Sequence, residues 1–401
     1  MHDVGIVMPV YKQDPHYLEL AIKSILQQTY RNYHFVIVTD GAPAETVNQI
    51  NRLIQGDSRV QLIIKDKNDG VAKTLNIGFE SLIKNNQVKY LTWVSSDNIY
   101  YSTFVEKLRG ALENAPANIG LSYSSFRHID DQGKYLKEPA LEEFYKYQNQ
   151  PKENLLDVCF IGVSFMYKKE IAAVIEGYWL EPVEDYEYWL RLTEKCEITY
   201  VEEALMEYRT TSLHSISAKL KGSKEQHRKW RFAFNLARQQ ARNRRNIPFA
   251  LTVVYPVYSV TQQIINKLED LLEQSFSNYK LIIVDCSIDQ NVQSELKDIA
   301  DPRLFFMEFP GATVKQAVNK ALTISRTQYT IVYGNSKFPT SPLALYDMIL
   351  RGPKIQNQKE EGMVLEDIGY RKVIARRASQ PAEILTGHLY QTKALRKILN
   401  L

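Results

Sequence analysis

Short apolar runs alternate with amphipathic segments along the first hundred positions of the chain. The apolar runs have the length of buried parallel strands and occupy Val4–Met8, Phe35–Val38, Val60–Ile64 and Tyr90–Val94. The segments between them, 17–28, 44–54 and 71–82, repeat apolar residues at helical spacing. Because strands that alternate with helices form right-handed crossovers, the pattern predicts an α/β fold with a Rossmann-like, mostly parallel central sheet.

The pattern changes beyond residue 100. Strands are predicted at 119–128 and at Ile198–Val201, a turn at Asp130–Gly133 and a helix at 185–195. Residues 139–157 are polar and irregular, which favours a loop. The segment 219–245 lacks proline and is therefore predicted to be helical up to the break at Asn246-Ile247-Pro248.

The chain then repeats itself. Leu251–Tyr258 resembles Val4–Tyr11, Leu271–Tyr279 resembles Ile25–Tyr33, and two further pairs of segments follow in the same order. Matching segments in the same order predict an internal duplication, with a second, truncated Rossmann-like α/β repeat. We therefore expect a catalytic domain at 1–218, a basic helical linker at 219–247 and a degenerate, non-catalytic domain at 248–401.

Composition narrows the class of protein. The 401 residues are 44% apolar and 24% charged, as in ordinary globular proteins, and the net charge of +4 gives no reason to expect a nucleic-acid partner. The three cysteines show no disulfide or metal-site spacing, the first residues do not resemble a signal peptide, and no run is long enough to span a membrane. These features predict a cytoplasmic protein.

The segment 219–245 carries ten basic residues against one acid, Glu225. One interpretation is a linker helix between the two domains, with its charged face solvated and Trp230, Phe232 and Phe234 packed. The other is peripheral contact with the anionic inner face of a membrane.

Polar residues that follow the predicted strands are the first candidates for chemistry, because ligands of parallel sheets bind outside the carboxyl ends of the strands. Asp40 follows the second strand, where it accepts a hydrogen bond from a nucleotide or serves only as a turn residue. The loop from Gly70 through Lys73 to Asn76 enters a helix, an arrangement that suits phosphate but equally an ordinary capped helix. Asp97 follows the fourth strand and could hold Mg²⁺ together with phosphate oxygens.

Glu184 and Asp185 lie at the start of the helix predicted at 185–195. A carboxylate there could act as a general base on a hydroxyl group, although acidic residues at a helix start also have an electrostatic, purely structural role. His214 is either a metal ligand or a polar surface residue. Tyr178 and Trp179 are candidates for stacking against an acceptor.

These segments together resemble family 2 glycosyltransferases of the GT-A fold over about residues 3–217. The resemblance rests on the order and spacing of VGIVMPVYKQD, SILQQTYRNYHFVIVTDGA, NDGVAKTLNIGF, YLTWVSSDNIYY and EDYEYWLRL. It implies an inverting transfer of a sugar from a nucleoside-diphosphate sugar, with a UDP-sugar as the expected donor, to a glycan or lipid-linked acceptor.

The resemblance also implies roles for individual residues. Asp185 would be the base, Asp97 and His214 would bind Mn²⁺ or Mg²⁺, and Tyr178, Trp179 and Glu184 would bind the acceptor. The residues that would bind the nucleotide-sugar are Pro9, Tyr11, Asp40, Gly70, Lys73, Asn76, Ser96, Asp97 and Asn98.

The chain departs from the family pattern at Thr39 and Ser96, where many members have aspartate, and at His214, which stands three residues after the usual position. These losses favour an alternative, a non-catalytic scaffold that binds nucleotide-sugars or glycans. A nucleotidyltransferase would need a glycine-rich basic loop near the N-terminus, which is missing. In the second repeat, Cys286 and Ser336 replace Asp40 and Asp97, so that repeat is predicted to be catalytically inactive.

Overall fold

A computed structural model describes residues 2–136, 141–210, 222–334, 341–349, 363–367, 373–377, 386–387 and 389–400. The chain divides into two compact units, Met1–Ala237 and Arg238–Leu401. Each unit contains one sheet. His214 and Ser336, two of the residues singled out from the sequence, lie outside the described residues.

The first unit begins with alternating strands and helices and continues with antiparallel additions. Its strands are β1 Val4–Val10, β2 Tyr33–Asp40, β3 Val60–Lys65, β4 Tyr90–Trp93, β5 Ile99–Tyr100, β6 Ile119–Ile129, β7 Phe165–Lys168 and β8 Glu197–Arg209. Its helices are α1 Pro15–Leu26, α2 Ala44–Ile54, α3 Val71–Lys84, α4 Phe104–Glu113, α5 Leu141–Gln148, α6 Lys169–Ala172 and α7 Glu184–Leu192, with a 3₁₀ helix at Lys152–Leu156.

The eight strands form one sheet in the order β3-β2-β1-β4-β7-β6-β8-β5. The first four are parallel, and antiparallel pairs join β7 to β4 and to β6. The chain runs outward from β1 to β3 and then returns to β4 on the other side of β1. That reversal of strand order is the place where ligands bind in open α/β sheets.

Helices cover both faces of the parallel strands. Alternate β1 residues Val4, Ile6 and Met8 join the apolar core that includes α1 and α4. Val7 points to the other face, where Gly78 of α3 lies so close that a Cβ would stand 2.5 Å from the Val7 side chain. The alternation of a strand therefore gives each face its own helical layer, and the predicted α/β class with a mostly parallel sheet is confirmed.

Two local expectations were wrong. Strand β1 does not end with the predicted run at Met8 but continues through Pro9 to Val10. The Val7 carbonyl accepts from Val94, so the proline nitrogen points to the same side, where pairing with β4 has already ended at Val7. The polar segment 139–157 is not a loop throughout, because it contains α5 and the 3₁₀ helix.

The second unit repeats the same alternation. Its strands are β9 Leu251–Val257, β10 Tyr279–Asp285, β11 Leu304–Glu308, β12 Tyr329–Val332, β13 Met363–Asp367, β14 Val373–Arg377 and β15 Leu389–Gln391. Its helices are α9 Gln262–Leu272, α10 Val292–Glu295, α11 Val314–Ile324 and α12 Thr392–Leu399. The sheet order β11-β10-β9-β12-β15-β13-β14 begins as the first sheet does, with three parallel strands leading to a fourth on the far side.

The basic segment forms helix α8, Lys224–Arg244, which crosses the boundary between the units. Phe234 stacks on Tyr186 with ring centroids 4.2 Å apart, and Trp230 stacks on Phe234, whereas Phe232 is exposed. The expectation of a wholly solvated charged face is wrong, because three of its arginines, Arg231, Arg238 and Arg242, are buried. Within the described residues, no helix combines the length and apolarity needed to cross a membrane.

Candidate functional site

Three of the predicted site residues lie at the carboxyl edge of the first parallel strands. Tyr11 follows β1 and is 41% exposed, Asp40 is the last residue of β2, and Asp97 comes shortly after β4. Since β2 and β4 flank β1 on its two sides, the polar residues border the point where the strand order reverses. Pro9 is part of β1 itself.

Asp40 organises the loop that precedes α3. Its Oδ1 accepts from the Lys65 ammonium at 2.5 Å and from the Asp69 amide at 3.0 Å, and its Oδ2 accepts from the Gly70 amide at 3.1 Å. The side chain is buried, so these bonds hold it in one orientation. Each carboxylate oxygen carries two acceptor sites, so Oδ2 retains capacity for one more donor.

The turn after β4 is held from three sides. Ser95 donates to the Asp97 carboxylate at 2.6 Å, and Gln13, in the loop after β1, donates to the Ser96 hydroxyl at 3.2 Å. The buried Arg209 at the end of β8 donates to the backbone carbonyl of Asp97 at 3.2 Å and, through its own amide, to the Asn98 side chain at 3.0 Å. Ser96, Asp97 and Asn98 are all buried.

The metal expected at this turn has one carboxylate available to it. Among the described residues, no three His, Cys, Asp or Glu side chains are grouped so that they could hold a metal ion. A hard cation such as Mg²⁺ is often held by one or two carboxylates together with substrate phosphates and water. Asp97 alone therefore fits a cation that a diphosphate brings with it, rather than a cage made by the protein.

Glu184 and Asp185 form the first turn of α7 and are both abnormal carboxyl groups. Burial, and next the charge of Asp185, raise the pKa of Glu184 to about 8. Burial raises the pKa of Asp185 to about 6, against the hydrogen bond that its Oδ1 accepts from the Tyr186 amide at 2.6 Å. Oε2 of Glu184 is buried and has no hydrogen-bond partner among the described residues.

The segment from Gly70 to Asn76, which is the N-cap and first turns of α3 rather than a loop, differs from the arrangement that a phosphate would need. Oε1 of Glu181 accepts from the Ala72 amide at 2.8 Å, so a carboxylate of the chain already lies at the start of α3. The Asn76 side chain donates to the carbonyl of Tyr178 and accepts from its amide, both at 2.8 Å, so it is used to hold the backbone. Lys73 is exposed.

The two aromatic residues proposed for the acceptor lie in different surroundings. Tyr178 is buried, with one stacking neighbour in Tyr188 at 4.0 Å and another in Phe79 at 5.7 Å, and its hydroxyl meets that of Tyr167 at 3.1 Å. It therefore offers no ring face to an acceptor. Trp179 is 44% exposed and keeps a free surface.

A cavity of about 660 Å³ opens beside the loop after β1, within the size range of ligand pockets. It lies between the first turns of α1 and the helix α2. Both basic and acidic side chains line it. The residues that line it are Lys12, Gln13, Pro15, Glu19, Pro43, Glu45, Thr46, Gln49, Arg52 and Leu53. None of the predicted site residues lines it, although Gln13 connects it to Ser96.

In the second unit, the carboxylate at the end of β10 stabilises the loop that follows it. Both oxygens of Asp285 are engaged, Oδ1 by the amide and hydroxyl of Ser287 and Oδ2 by the amide of Val292. Cys286 is buried, and burial raises the pKa of its thiol. The carboxylate therefore caps its own loop.

Sequence reasoning missed three residues that hold the site, Gln13, Glu181 and Arg209. Gln13 lies in the recognised segment VGIVMPVYKQD, three positions after the end of β1, whereas Arg209 lies beyond the predicted strand Ile198–Val201. Glu181 had no local signal, since its partner Ala72 is 109 positions away.

Comparison with known proteins identifies the first unit. Residues 5–175 match glycosyl transferase family 2. An uncharacterized glycosyltransferase of Rickettsia conorii is 25% identical over 369 residues, covering 79% of this chain and 59% of the relative. The O-antigen biosynthesis glycosyltransferase WbnJ of Escherichia coli is 29% identical over 220 residues, covering 51% of this chain and 79% of the relative.

Among solved structures, S. aureus TarS 1–349 in complex with UDP-GlcNAc aligns with a TM-score of 0.46 and 11% identity, over 59% of this chain and 66% of that chain. The chain spans about three fifths of the length of its Rickettsia conorii relative. The family match lies wholly within Met1–Ala237, the unit with the mostly parallel sheet. That unit therefore contains a glycosyl transferase family 2 domain.

Proposed function

We propose that the chain transfers a sugar from a nucleoside-diphosphate sugar to an acceptor hydroxyl at the carboxyl edge of the first sheet. The observation that carries this proposal is the family match over the strands that end in Asp40 and the turn of Asp97. The donor would lie across the reversal point at β1, with its base near Tyr11 and Asp40. A UDP-sugar is the expected donor.

In this proposal Asp185 takes the proton from the acceptor hydroxyl. The hydroxyl oxygen attacks the anomeric carbon, the bond to the diphosphate oxygen breaks, and the nucleoside diphosphate leaves with the electron pair, which inverts the configuration. A base with a pKa near working pH is efficient, and the raised pKa of Asp185, about 6, suits that role. The unpartnered Oε2 of Glu184 supports a contact with an acceptor hydroxyl.

A divalent cation, Mn²⁺ or Mg²⁺, would be held by Asp97 together with the diphosphate and would neutralise the charge on the leaving group. The protein's own contribution there is orientation. Arg209 fixes the backbone of the turn, and Ser95 fixes the Asp97 carboxylate. His214 stays a predicted second ligand.

The acceptor is proposed to be a growing glycan, since a relative is named for O-antigen biosynthesis. The exposed Trp179 is the better candidate for stacking against it. Peripheral membrane contact through 219–245 would depend on the exposed basic residues alone, because Arg231, Arg238 and Arg242 are buried.

The test is transfer or donor hydrolysis by purified protein with Mn²⁺ across UDP-, GDP- and dTDP-sugars, comparing wild type with Asp185→Asn. We expect the variant to lose at least about 100-fold in kcat, as removal of a general base does, with donor affinity within about threefold. Asp289→Asn makes the same chemical change on an exposed carboxylate of the second unit and should match wild type.

Two results would contradict the proposal. Full transfer by Asp185→Asn would remove this residue as the base. Wild-type protein that neither binds nor hydrolyses any of these donors would instead support the alternative of a scaffold that binds glycans.

A further inference from the structure

The segment 176–181 connects the two halves of the proposed site. It follows the short helix α6 and leads into α7, whose first turn carries Glu184 and Asp185. Its residues are hydrogen-bonded both to α7 and to α3, the helix that begins at the Gly70 loop. We call residues 176–181 the strut.

The strut is fixed to α7 by a buried ion pair. Arg191 pairs with Glu187 at 2.7 Å, and the side chains are almost completely buried. The same guanidinium donates to the carbonyl of Gly177 at 2.7 Å and also to that of Glu176. A charge held by its counter-ion and by two carbonyls has little freedom to move, so the start of the strut is rigidly attached to α7.

The strut is fixed to α3 at two points. Asn76 forms a two-way bridge with the backbone of Tyr178, and the strut passes so close that a Cβ on Gly177 would stand 2.3 Å from the Asn76 oxygen. At its other end, the Glu181 carboxylate accepts from the Ala72 amide at 2.8 Å. Small size at position 177 is therefore required by the close approach.

Glu181 supplies what the start of α3 lacks. The N-cap residue Gly70 has no side chain to accept a hydrogen bond, and the first turn contains no acidic residue. Free amides and the helix dipole make that end partially positive, so a carboxylate stabilises it. Gly70 has φ +96°, and a Cβ there would stand 2.5 Å from the Glu181 carboxylate, so the position is restricted to glycine by both backbone and neighbour.

We propose that Glu181 is a positioning residue for the transfer reaction: its carboxylate holds the Gly70 loop, and with it Asp40, in register with the helix that carries Asp185. The chain of contacts runs from Ala72 and Gly70 to the Asp40 Oδ2, which accepts from the Gly70 amide. This inference rests on the proposed function, since it takes Asp40 as a residue that contacts the nucleotide-sugar donor and Asp185 as the base.

The test compares Glu181→Ala, Glu181→Gln and the control Glu176→Ala in the full chain. Glu176 contributes to the strut through its backbone carbonyl, which the substitution keeps. Its side chain belongs to an exposed residue, so Glu176→Ala removes the same charge as Glu181→Ala, five positions away. Loss of a helix cap changes an equilibrium constant by roughly 2- to 30-fold. Glu181→Ala should therefore raise the donor KM within that range and change kcat less. Glutamine keeps an acceptor oxygen for the Ala72 amide and should stay within about threefold of wild type.

Hydrogen–deuterium exchange of the peptides covering 70–76 supplies a readout that does not need activity. Glu181→Ala should speed exchange there, while Glu176→Ala leaves it unchanged. An active wild type in which Glu181→Ala alters neither exchange nor the donor KM overturns the positioning role alone. Faster exchange with an unchanged KM overturns it too, because Glu181 would then be merely structural. A wild type without activity on any donor overturns the proposed function and this inference together.

Discussion

Replacing Glu184 with glutamine should make the protein more resistant to unfolding at alkaline pH. Glu184 is buried, its Oε2 lacks a partner among the described residues, and burial next to Asp185 raises its pKa from 4.5 to about 8. Between these two values the unfolded chain is ionised while the folded chain keeps the proton. The contribution of Glu184 to the free energy of unfolding therefore falls as pH rises from about 4.5 to about 8, and this contribution is constant above that.

The size of the effect follows from the same values. A tenfold change in ionisation corresponds to about 1.4 kcal/mol, so the raised pKa sets an upper limit of about 5 kcal/mol. Relaxation and water penetration reduce such penalties in real proteins, and we expect about 2–4 kcal/mol. Glutamine has the same shape without the charge, so Glu184→Gln should gain this amount relative to wild type at pH 9 and only a small part of it at pH 5.

Urea denaturation at pH 5, 7 and 9 measures the effect. The informative quantity is the difference between the two proteins at pH 9 minus their difference at pH 5, because any cost of burying the amide cancels. Glu176→Gln, on an exposed residue of the same unit, serves as the control and should show no such change. A value near zero for Glu184→Gln would refute the argument that Glu184 is protonated in the folded protein at neutral pH.

Two further predictions concern buried charges. Glu187→Gln should lower the free energy of unfolding by about 3–5 kcal/mol in urea titrations, because it leaves Arg191 buried without its counter-ion. The control Glu80→Gln breaks the exposed pair with Lys84 and should lower it by less than about 1 kcal/mol. Equal losses in the two variants would contradict this account. Asp285→Asn should lower stability by about 1–3 kcal/mol, because the carboxylate holds Ser287 and Val292, and should leave nucleotide-sugar affinity in equilibrium binding unchanged. A large loss of affinity there would show that the second unit binds the donor.

The alternation of strands and helices was readable because it is a local property. The hydrophobic periodicity of Val4–Met8 and of the segments that follow reflects which face of each element is buried. Each residue's own polarity carries that information. Asp40 and Asp97 could be placed for the same reason, since a residue that ends a parallel strand must lie at the carboxyl edge. The misplaced details, such as α5 in the polar segment 139–157, have weak local patterns.

The sequence alone therefore determined the α/β class, the position of the strand-end carboxylates and the recurrence of the pattern after Pro248. Only the tertiary structure decided the surroundings of the side chains near the proposed site. The pKa of Glu184 depends on how much water its neighbours exclude. The burial of Tyr178 depends on the rings of Phe79 and Tyr188, and the start of α3 is held by a carboxylate 109 positions away. Desolvation and long-range hydrogen bonds arise between segments that are distant in the chain, so no local pattern encodes them.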